Sequence, residues 1–489
     1  MVSAGAADVD IVQSVLFHRH GDRSLAACIP KVPDCPSHWP QGFGQLTPRG
    51  MHELHFLGQR IRERYVNGVN TSIGLTDGQP LIVGNYTRQD LYVRSTDYDR
   101  TLQSVTSLLE GLFPPGTGPV QPDGQPGLTA MRIQPVPIHT VPQSEDGLLR
   151  AFTTATCPQY GYLQEQDMAN HPEEWAKQRH ASASLLHNVS EAAGMHVTLD
   201  GIWQVFDSLT VMQDHGYAWP AGITQEVYDQ LDTFSRWTEA RMYTGKSLRQ
   251  ATSGEMLAML TARFQARVAG SAQPEWDPTS YPAPDAAQLT GPQFAIYSAH
   301  DTTLAALLYG MGWASPDAPI QNPPYASSVA LELLNVTNAI SADIPAGYYV
   351  RMYYNRGIGD AQTSGANTPQ PFDAANIITL PGCKIAVPGT GDALCPLDRW
   401  VATVAEFAST ENAWDTLCGV PTAGSAPANK PGSSGVPVGW VVAIALGSAM
   451  VAAMILIVLV KRAERRAVRL GGTGGYRKAG SNVDELPGP

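Results

Sequence analysis

The sequence predicts an α/β fold: a central, mostly parallel sheet with helices on both faces, a helical insertion or cap, and a C-terminal transmembrane helix. Three observations carry this expectation. Short apolar runs at 12–17, 91–93 and 294–297 each end at a cationic or reactive residue and precede a helical pattern, the alternation of βα units. Residues 144–270 keep helical character with few β-branched runs. Residues 439–460 form a 22-residue run without charge, and a bilayer core takes about 20.

The first strand, 12–17, runs into His18-Arg19-His20-Gly21. Thr47-Pro48 opens a helix with proline at its first position, and Met51, Leu54, Leu57, Ile61 and Tyr65 keep an apolar face to about Val66. The strand at 91–93 ends at Arg94. Thr96 or Asp97 caps the next helix, which buries Leu102, Val105, Leu108, Leu109 and Leu112 and stops at Pro114-Pro115. Within 144–270 the helical segments include 175–193, 225–244 and 253–268. The strand at 294–297 ends at Ser298-Ala299-His300-Asp301, ahead of an apolar helix with Leu304, Leu307 and Leu308. Two further strands are expected at 329–334 and 348–354. Residues 420–438, rich in Pro, Gly, Ala and Ser, read as a flexible stalk. The expected order is an ectodomain over 1–419, the stalk, the span at 439–460 and a tail over 461–489.

The charge distribution fits a membrane anchor. The net charge is -12 over 489 residues, which argues against nucleic acid as a partner. The tail from Lys461 carries seven basic and three acidic residues, so everything before it stands at -16. Lys-Arg-Ala-Glu-Arg-Arg directly after the apolar run is a positive cytoplasmic flank, and Trp440 suits the opposite interface. A GPI signal would end in its apolar tail, whereas 29 residues follow here. The expectation is a type I, single-pass protein with its large N-terminal part lumenal or extracellular. Four sequons, at Asn70, Asn85, Asn188 and Asn335, precede the span. So do six cysteines, Cys28, Cys35, Cys157, Cys383, Cys395 and Cys418, an even count that suits three disulfides but leaves fifteen pairings open. Residues 1–10 lack the basic and apolar segments of a signal peptide and read as a mature or trimmed start.

Three predicted strands end in loops that hold Arg19-His20-Gly21-Asp22-Arg23, Arg94 and His300-Asp301. Open α/β sheets bind ligands beyond the carboxyl ends of their strands. If the strands are neighbours, arginines, histidines and helix N-termini meet there and make a pocket for a tetrahedral oxyanion such as phosphate. No nucleotide-binding loop, metal-ligand spacing or Gly-x-Ser-x-Gly elbow occurs, so neither cofactor nor metal is expected. That leaves His20 as nucleophile, kept neutral by flanking arginines, and Asp301 as the acid that protonates the leaving group.

The segment Arg19-His20-Gly21-Asp22-Arg23-Ser24 resembles the Arg-His-Gly-x-Arg-x-Pro signature of the histidine acid phosphatases, the second branch of the histidine phosphatase superfamily. The segments Gly42–Thr47, Tyr92–Thr101 and Tyr297–Leu304 also resemble the lysosomal and prostatic members, as do Pro324-Tyr325-Ala326-Ser327 and Leu380-Pro381-Gly382-Cys383. The similarity runs in order from about Ile11 to Cys418. It implies a phosphomonoester hydrolase in which His20 accepts the phosphoryl group, Arg19, Arg23, Arg94 and His300 hold it, and Asp301 donates the proton. It also implies the disulfides Cys383–Cys395 and Cys157–Cys418, which leaves Cys28–Cys35. Leu25 stands where the signature has proline, and the loss of that ring is expected to loosen Arg23 unless the Cys28–Cys35 loop restores rigidity.

The expected substrates are small phosphomonoesters, with an acidic optimum at roughly pH 4–6 once arginines depress His20 and burial or a bound dianion raises Asp301. The alternatives are an inositol-phosphate (phytase-like) hydrolase and a catalytically silent, receptor-like ectodomain. Endosome or lysosome and cell surface remain equal destinations, and a homodimer stays open.

Overall fold

The computed structural model describes residues 9–68, 80–120, 131–271, 291–315, 317–357, 372–387 and 393–420. The stalk beyond Val420, the apolar run at 439–460, the tail at 461–489 and the sequon at Asn70 lie outside the described residues. Among the described residues, no helix is long and apolar enough to cross a membrane.

The chain begins with β1 (Val9–Arg19), α1 (Pro48–Tyr65), β2 (Leu91–Ser95) and α2 (Asp99–Leu112). Among the described residues six helices follow: α3 (Gly147–Arg150), α4 (Tyr160–Asn170), α5 (Pro172–Ala193), α6 (Ile202–Asp214), α7 (Gln225–Met242) and α8 (Lys246–Ala269). Then come β3 (Phe294–Ala299), α9 (Asp301–Gly310), β4 (Ser328–Val336), β5 (Gly347–Asn355), β6 (Ile377–Ile378), β7 (Ile385–Ala386) and β8 (Ala393–Pro396). The described part closes with α10 (Leu397–Val404) and α11 (Glu411–Cys418).

The sheet order is β2-β3-β1-β4-β5-β8-β7, with β6 paired to β5. Among the described strand pairs, β2–β3 and β3–β1 are parallel, while β1–β4, β4–β5, β5–β6, β5–β8 and β7–β8 are antiparallel. The expectation of a mostly parallel sheet is therefore corrected to a mixed one. The reason is connection length: ten residues separate β4 from β5, too few for the crossover a parallel pair requires.

Helices do cover both faces, and strand alternation sorts them. Val15 and Phe17 of β1 and Ala295, Tyr297 and Ala299 of β3 share one core with Leu257, Leu260 and Phe264 of α8 and Leu304 and Leu308 of α9. Leu16, Phe294 and Ile296 face the other way, onto Leu54, Leu57 and Ile61 of α1 and Val105 and Leu108 of α2. Successive side chains on a strand point to opposite faces, so one central strand serves two cores. Helix α8 thus belongs to the layer against the sheet. Helices α5 and α6 and the first half of α7 have a separate core, in which Trp175, Val189, Val205, Leu209 and Leu231 enclose Leu25, Ile29, Cys35 and Trp39 from the loop after β1.

Three disulfides form, Cys28–Cys35, Cys157–Cys418 and Cys383–Cys395, and no cysteine is left free among the described residues. Leu25 is buried in the same cluster as Cys35. Its loop is also pinned by Gly44 N–H to Leu25 O (2.7 Å) and Ser24 N–H to Gln45 O (2.9 Å). Leu25 thus holds this loop by packing and backbone bonds, where the signature's proline would hold it by its ring.

Candidate active site

The carboxyl ends of β1, β2 and β3 lie side by side, so the loops after Arg19, Ser95 and Ala299 converge. The loop after β1 turns tightly onto the start of α1. A Cβ on Gly21 would come within 2.3 Å of the Gly50 carbonyl oxygen, and one on Gly50 within 2.3 Å of the Asp22 carbonyl oxygen. Two glycines let these backbones touch. Thr47 caps α1 by accepting from Gly50 N–H at 3.1 Å, and its hydroxyl donates to the Asp22 carboxylate. Asp22 in turn bonds His215 at the end of α6 (3.1 Å) and, through its backbone N–H, Glu53 (2.9 Å).

His20 lies buried at the centre. Its Nδ1 is 2.8 Å from the Gly21 carbonyl oxygen, which only an Nδ1–H can satisfy, so in the neutral ring the lone pair sits on Nε2. Its pKa is held well below 6.5, first by burial and then by Arg100, Arg19, Arg23 and His300. The ring therefore stays neutral in mild acid. The His300 ring stands edge-on to it, centroids 5.7 Å apart. His300 is also held well below its ordinary value, by burial and then Arg100, against the pull of Asp301. Its Nε2 pairs with Thr96 Oγ1 at 3.0 Å and its Nδ1 faces Arg100 at 3.5 Å.

Asp301 is the first residue of α9, with His300 as the N-cap. It pairs with Arg19 at 2.7 Å, while Arg19 also donates to Pro323 O at 2.6 Å and lies 4.2 Å above the Tyr325 ring. Burial raises the Asp301 pKa, but Arg19, His300 and Arg23 together outweigh it, and the carboxyl ends below its ordinary value. The expectation that burial lifts this group is corrected for the protein alone. Arg23 donates through Nη2 to both carboxylate oxygens of Asp207 of α6, at 2.8 and 3.0 Å.

The structure brings His20, Arg23, His300 and Asp301 to one cavity of about 580 Å³, with Arg19 bonded to Asp301 beside it. It does not bring Arg94 there. The Arg94 side chain leaves β2 toward Asp146, the N-cap of α3, and pairs with it at 2.6 Å, and Arg94 is not among the cavity-lining residues. The cation that takes its expected place is Arg100, in the first turn of α2. The helix after β2 starts at Asp99, with Tyr98 rather than the expected Thr96 or Asp97 at its N-cap, and this carries Arg100 forward to His300. Burial and Arg23 lower its pKa to about 10, which leaves it fully charged in acid. Sequence reasoning also missed Tyr325 and Asp207, which fix Arg19 and Arg23, and Glu239 on the cavity wall.

The profile of the histidine phosphatase superfamily (branch 2) matches residues 10–355. The chain belongs to that superfamily. Among its branch 2 relatives, the lysosomal acid phosphatase of Rattus norvegicus is 33% identical over 386 residues, covering 76% of this chain and 74% of the relative. The prostatic acid phosphatase of Bos taurus is 31% identical over 411 residues, covering 83% and 87%. In fold, this branch 2 chain is similar to a Klebsiella phytase (TM-score 0.54, 17% identity, covering 86% of this chain and 98% of that one). A phytase of Hafnia alvei is similar at TM-score 0.52 and 16% identity, covering 86% and 100%.

Proposed function

We propose that the protein is a membrane-anchored acid phosphatase that hydrolyses phosphomonoesters through a phosphohistidine, with its catalytic part lumenal or extracellular. The observation that carries the chemistry is His20: neutral, oriented by Gly21 O so that Nε2 is free, and ringed by Arg19, Arg23, Arg100 and His300. Nε2 attacks phosphorus while the P–O ester bond breaks, and the departing oxygen takes a proton from Asp301. Water then attacks the phosphohistidine, gives its proton to the Asp301 carboxylate, and phosphate leaves. Arg100, Arg19 and Arg23 hold the equatorial oxygens, where charge accumulates. A phosphate dianion beside Asp301 offsets the arginines and raises its pKa, which supplies the proton the acid step needs.

Several observations support the anchor and the compartment. The uncharged run at 439–460 precedes a basic flank, all six cysteines precede the run, and Asn85 and Asn188 are exposed while Asn335 is half-buried. The lysosomal names of several relatives favour the endosomal or lysosomal lumen, and the cell surface satisfies the same topology. The test is turnover of p-nitrophenyl phosphate by the intact chain in sealed membranes, with and without permeabilisation. Activity reached only after permeabilising right-side-out endosomal vesicles supports the reading, and activity on their cytosolic face refutes it.

The reassignment of the cation is directly measurable. Arg100→Ala is expected to lower kcat/KM by about 10²–10³ and to weaken inhibition by inorganic phosphate, as loss of an oxyanion donor does. Arg94→Ala should lower thermal stability, through Asp146 and α3, and leave phosphate inhibition near that of the parent. The reverse ranking would restore Arg94 to the site.

Asp301→Asn should depress alkyl phosphates far more than aryl phosphates, whose leaving oxygens need little protonation. The kcat profile of the parent should be bell-shaped with an acidic optimum. Its acid limb is set by His20, which gains a proton only well below pH 6.5, and its alkaline limb by Asp301 in the complex. Equal losses across a leaving-group series, or an optimum near pH 9, would remove Asp301 from this role.

A further inference from the structure

The cavity extends beyond Asp301 along α7, and there it holds a carboxyl group that the hydrolysis does not use. Glu239 lines the cavity together with Ser235, Thr238 and Met242 of the same helix. It is half-buried, and among the described residues it makes no hydrogen bond and no ion pair. The other lining carboxylates differ: Asp301 pairs with Arg19, Asp207 with Arg23, Asp167 with Arg241, and Asp200 stands in solvent. A carboxyl drawn from water without a partner takes either a proton or a cation.

Aromatic rings share this space. Trp203, 54% exposed, and Phe206 reach the cavity from α6, and such rings attract ammonium groups over their faces. Of the other cationic side chains that line the cavity, Arg241 is paired with Asp167 and Arg150 donates to Gln143 O, which leaves little for a second phosphate. The chain ahead of its basic tail carries -16, a field that opposes multiply charged anions more than zwitterions.

We propose that Glu239, with Trp203 and Phe206 of the same cavity, binds an ammonium group on the departing alcohol, so that the preferred substrates are aminoalkyl phosphomonoesters. The inference rests on the phosphatase reading above. It has a pH signature. Burial, and then Asp301, push the Glu239 pKa up to about 8 against the pull of Arg19. The other titratable groups that bear on it are Asp232 on its own helix, and Tyr243, Tyr309 and Tyr354. These tyrosines stay neutral throughout the working range, since all are pushed above their ordinary values. Docking an ammonium displaces the Glu239 proton, so the preference for the amino ester strengthens as pH rises toward 8. The amine itself stays charged, as a free lysine of pKa about 10.4 does.

The experiment uses the full chain in detergent and compares kcat/KM for O-phosphoethanolamine with that for propyl phosphate, of similar length, from pH 4.5 to 7. The ratio cancels the catalytic limbs that the two esters share. In the parent it should exceed one and rise about tenfold or more between pH 5 and 7, as displacement of one proton dictates. In Glu239→Gln it should fall at least about tenfold at pH 7 and lose its slope, since an amide neither ionises nor pairs with a cation. A ratio of the same size and slope in both proteins overturns the proposal. Inhibition by inorganic phosphate reports whether the variant has formed its site, and if it has not, a flat ratio in the parent alone is enough to refute the idea. Turnover of propyl phosphate without any amino preference sinks this inference and keeps the phosphatase. Failure of both esters and of p-nitrophenyl phosphate sinks the phosphatase reading as well.

Discussion

Replacing His20 by alanine is expected to cut kcat by about four orders of magnitude, which at about 1.36 kcal/mol per tenfold is about 5.5 kcal/mol of barrier. The size follows from what the ring does. It forms the covalent bond to phosphorus, and its neutrality is maintained by burial and by the surrounding arginines rather than by its own basicity. With the ring gone, the arginines still bind phosphate but hold no nucleophile, so inorganic phosphate should remain an inhibitor while turnover is lost. The parent, quenched during turnover of labelled substrate, should yield a phosphoenzyme that is acid-labile and alkali-stable, and the variant none. Turnover close to the parent's would exclude His20 as the phosphate carrier.

The second large effect lies on the far side of the sheet from α8. Glu332 of β4 is fully buried and accepts from Arg64 at 2.6 and 2.8 Å, from Arg351 at 2.9 and 2.8 Å and from the Tyr65 hydroxyl at 2.8 Å. One carboxylate thus ties α1 to β4 and β5. Glu332→Ala takes away the charge that two buried guanidiniums share, and breaking such a cluster costs about 3–5 kcal/mol. Thermal and denaturant unfolding should register that loss directly. Burial alone would raise the Glu332 pKa, yet Arg64 and Arg351 outweigh it and bring it down to about 2. A depressed carboxyl stabilises above its unfolded value, 4.5, and loses that contribution as pH falls toward 2. The gap between parent and variant should therefore be full at pH 6 and narrow at pH 3. A gap below about 1 kcal/mol at pH 6, the size of an exposed pair, would show that the cluster is not the brace it looks like.

What was legible in the sequence follows from how local each signal is. The strands of β1, β2 and β3 and the cap of α1 at Thr47 depend on residues within a few positions, and each lies within two or three residues of its expected place at one end or both. Strand direction depends on the partner, which explains the error over the parallel sheet: the expected strands at 329–334 and 348–354 leave room for a crossover, and only the longer observed strands shorten the connection to ten residues. The exchange of Arg94 for Arg100 has a similar cause. Both arginines lie in one motif, and the choice depends on where α2 starts, at Asp99 after a Tyr98 that makes no side-chain capping bond, rather than at the Thr96 or Asp97 cap that the sequence offered. Glu239 had no signal at all: a glutamate in an amphipathic helix reads as solvated until the fold turns that face toward Asp301. The same holds for Glu332, whose partners lie 268 and 19 residues away.

The disulfides impose an order on the protein's biosynthesis. Cys28 and Cys35 are seven residues apart and can close as soon as both have been made. Cys157 must wait for Cys418, 261 residues later, by which time almost all of the described chain has been made. Synthesis at about 5–20 residues per second leaves that thiol exposed for roughly 13–50 seconds. Cys383 and Cys395, twelve residues apart, emerge only near the end of that interval, shortly before Cys418. The spacing of the six cysteines thus sets the earliest order in which the bridges can close: Cys28–Cys35 first, then Cys383–Cys395, and last the one that fastens α11 to the start of the helical segment.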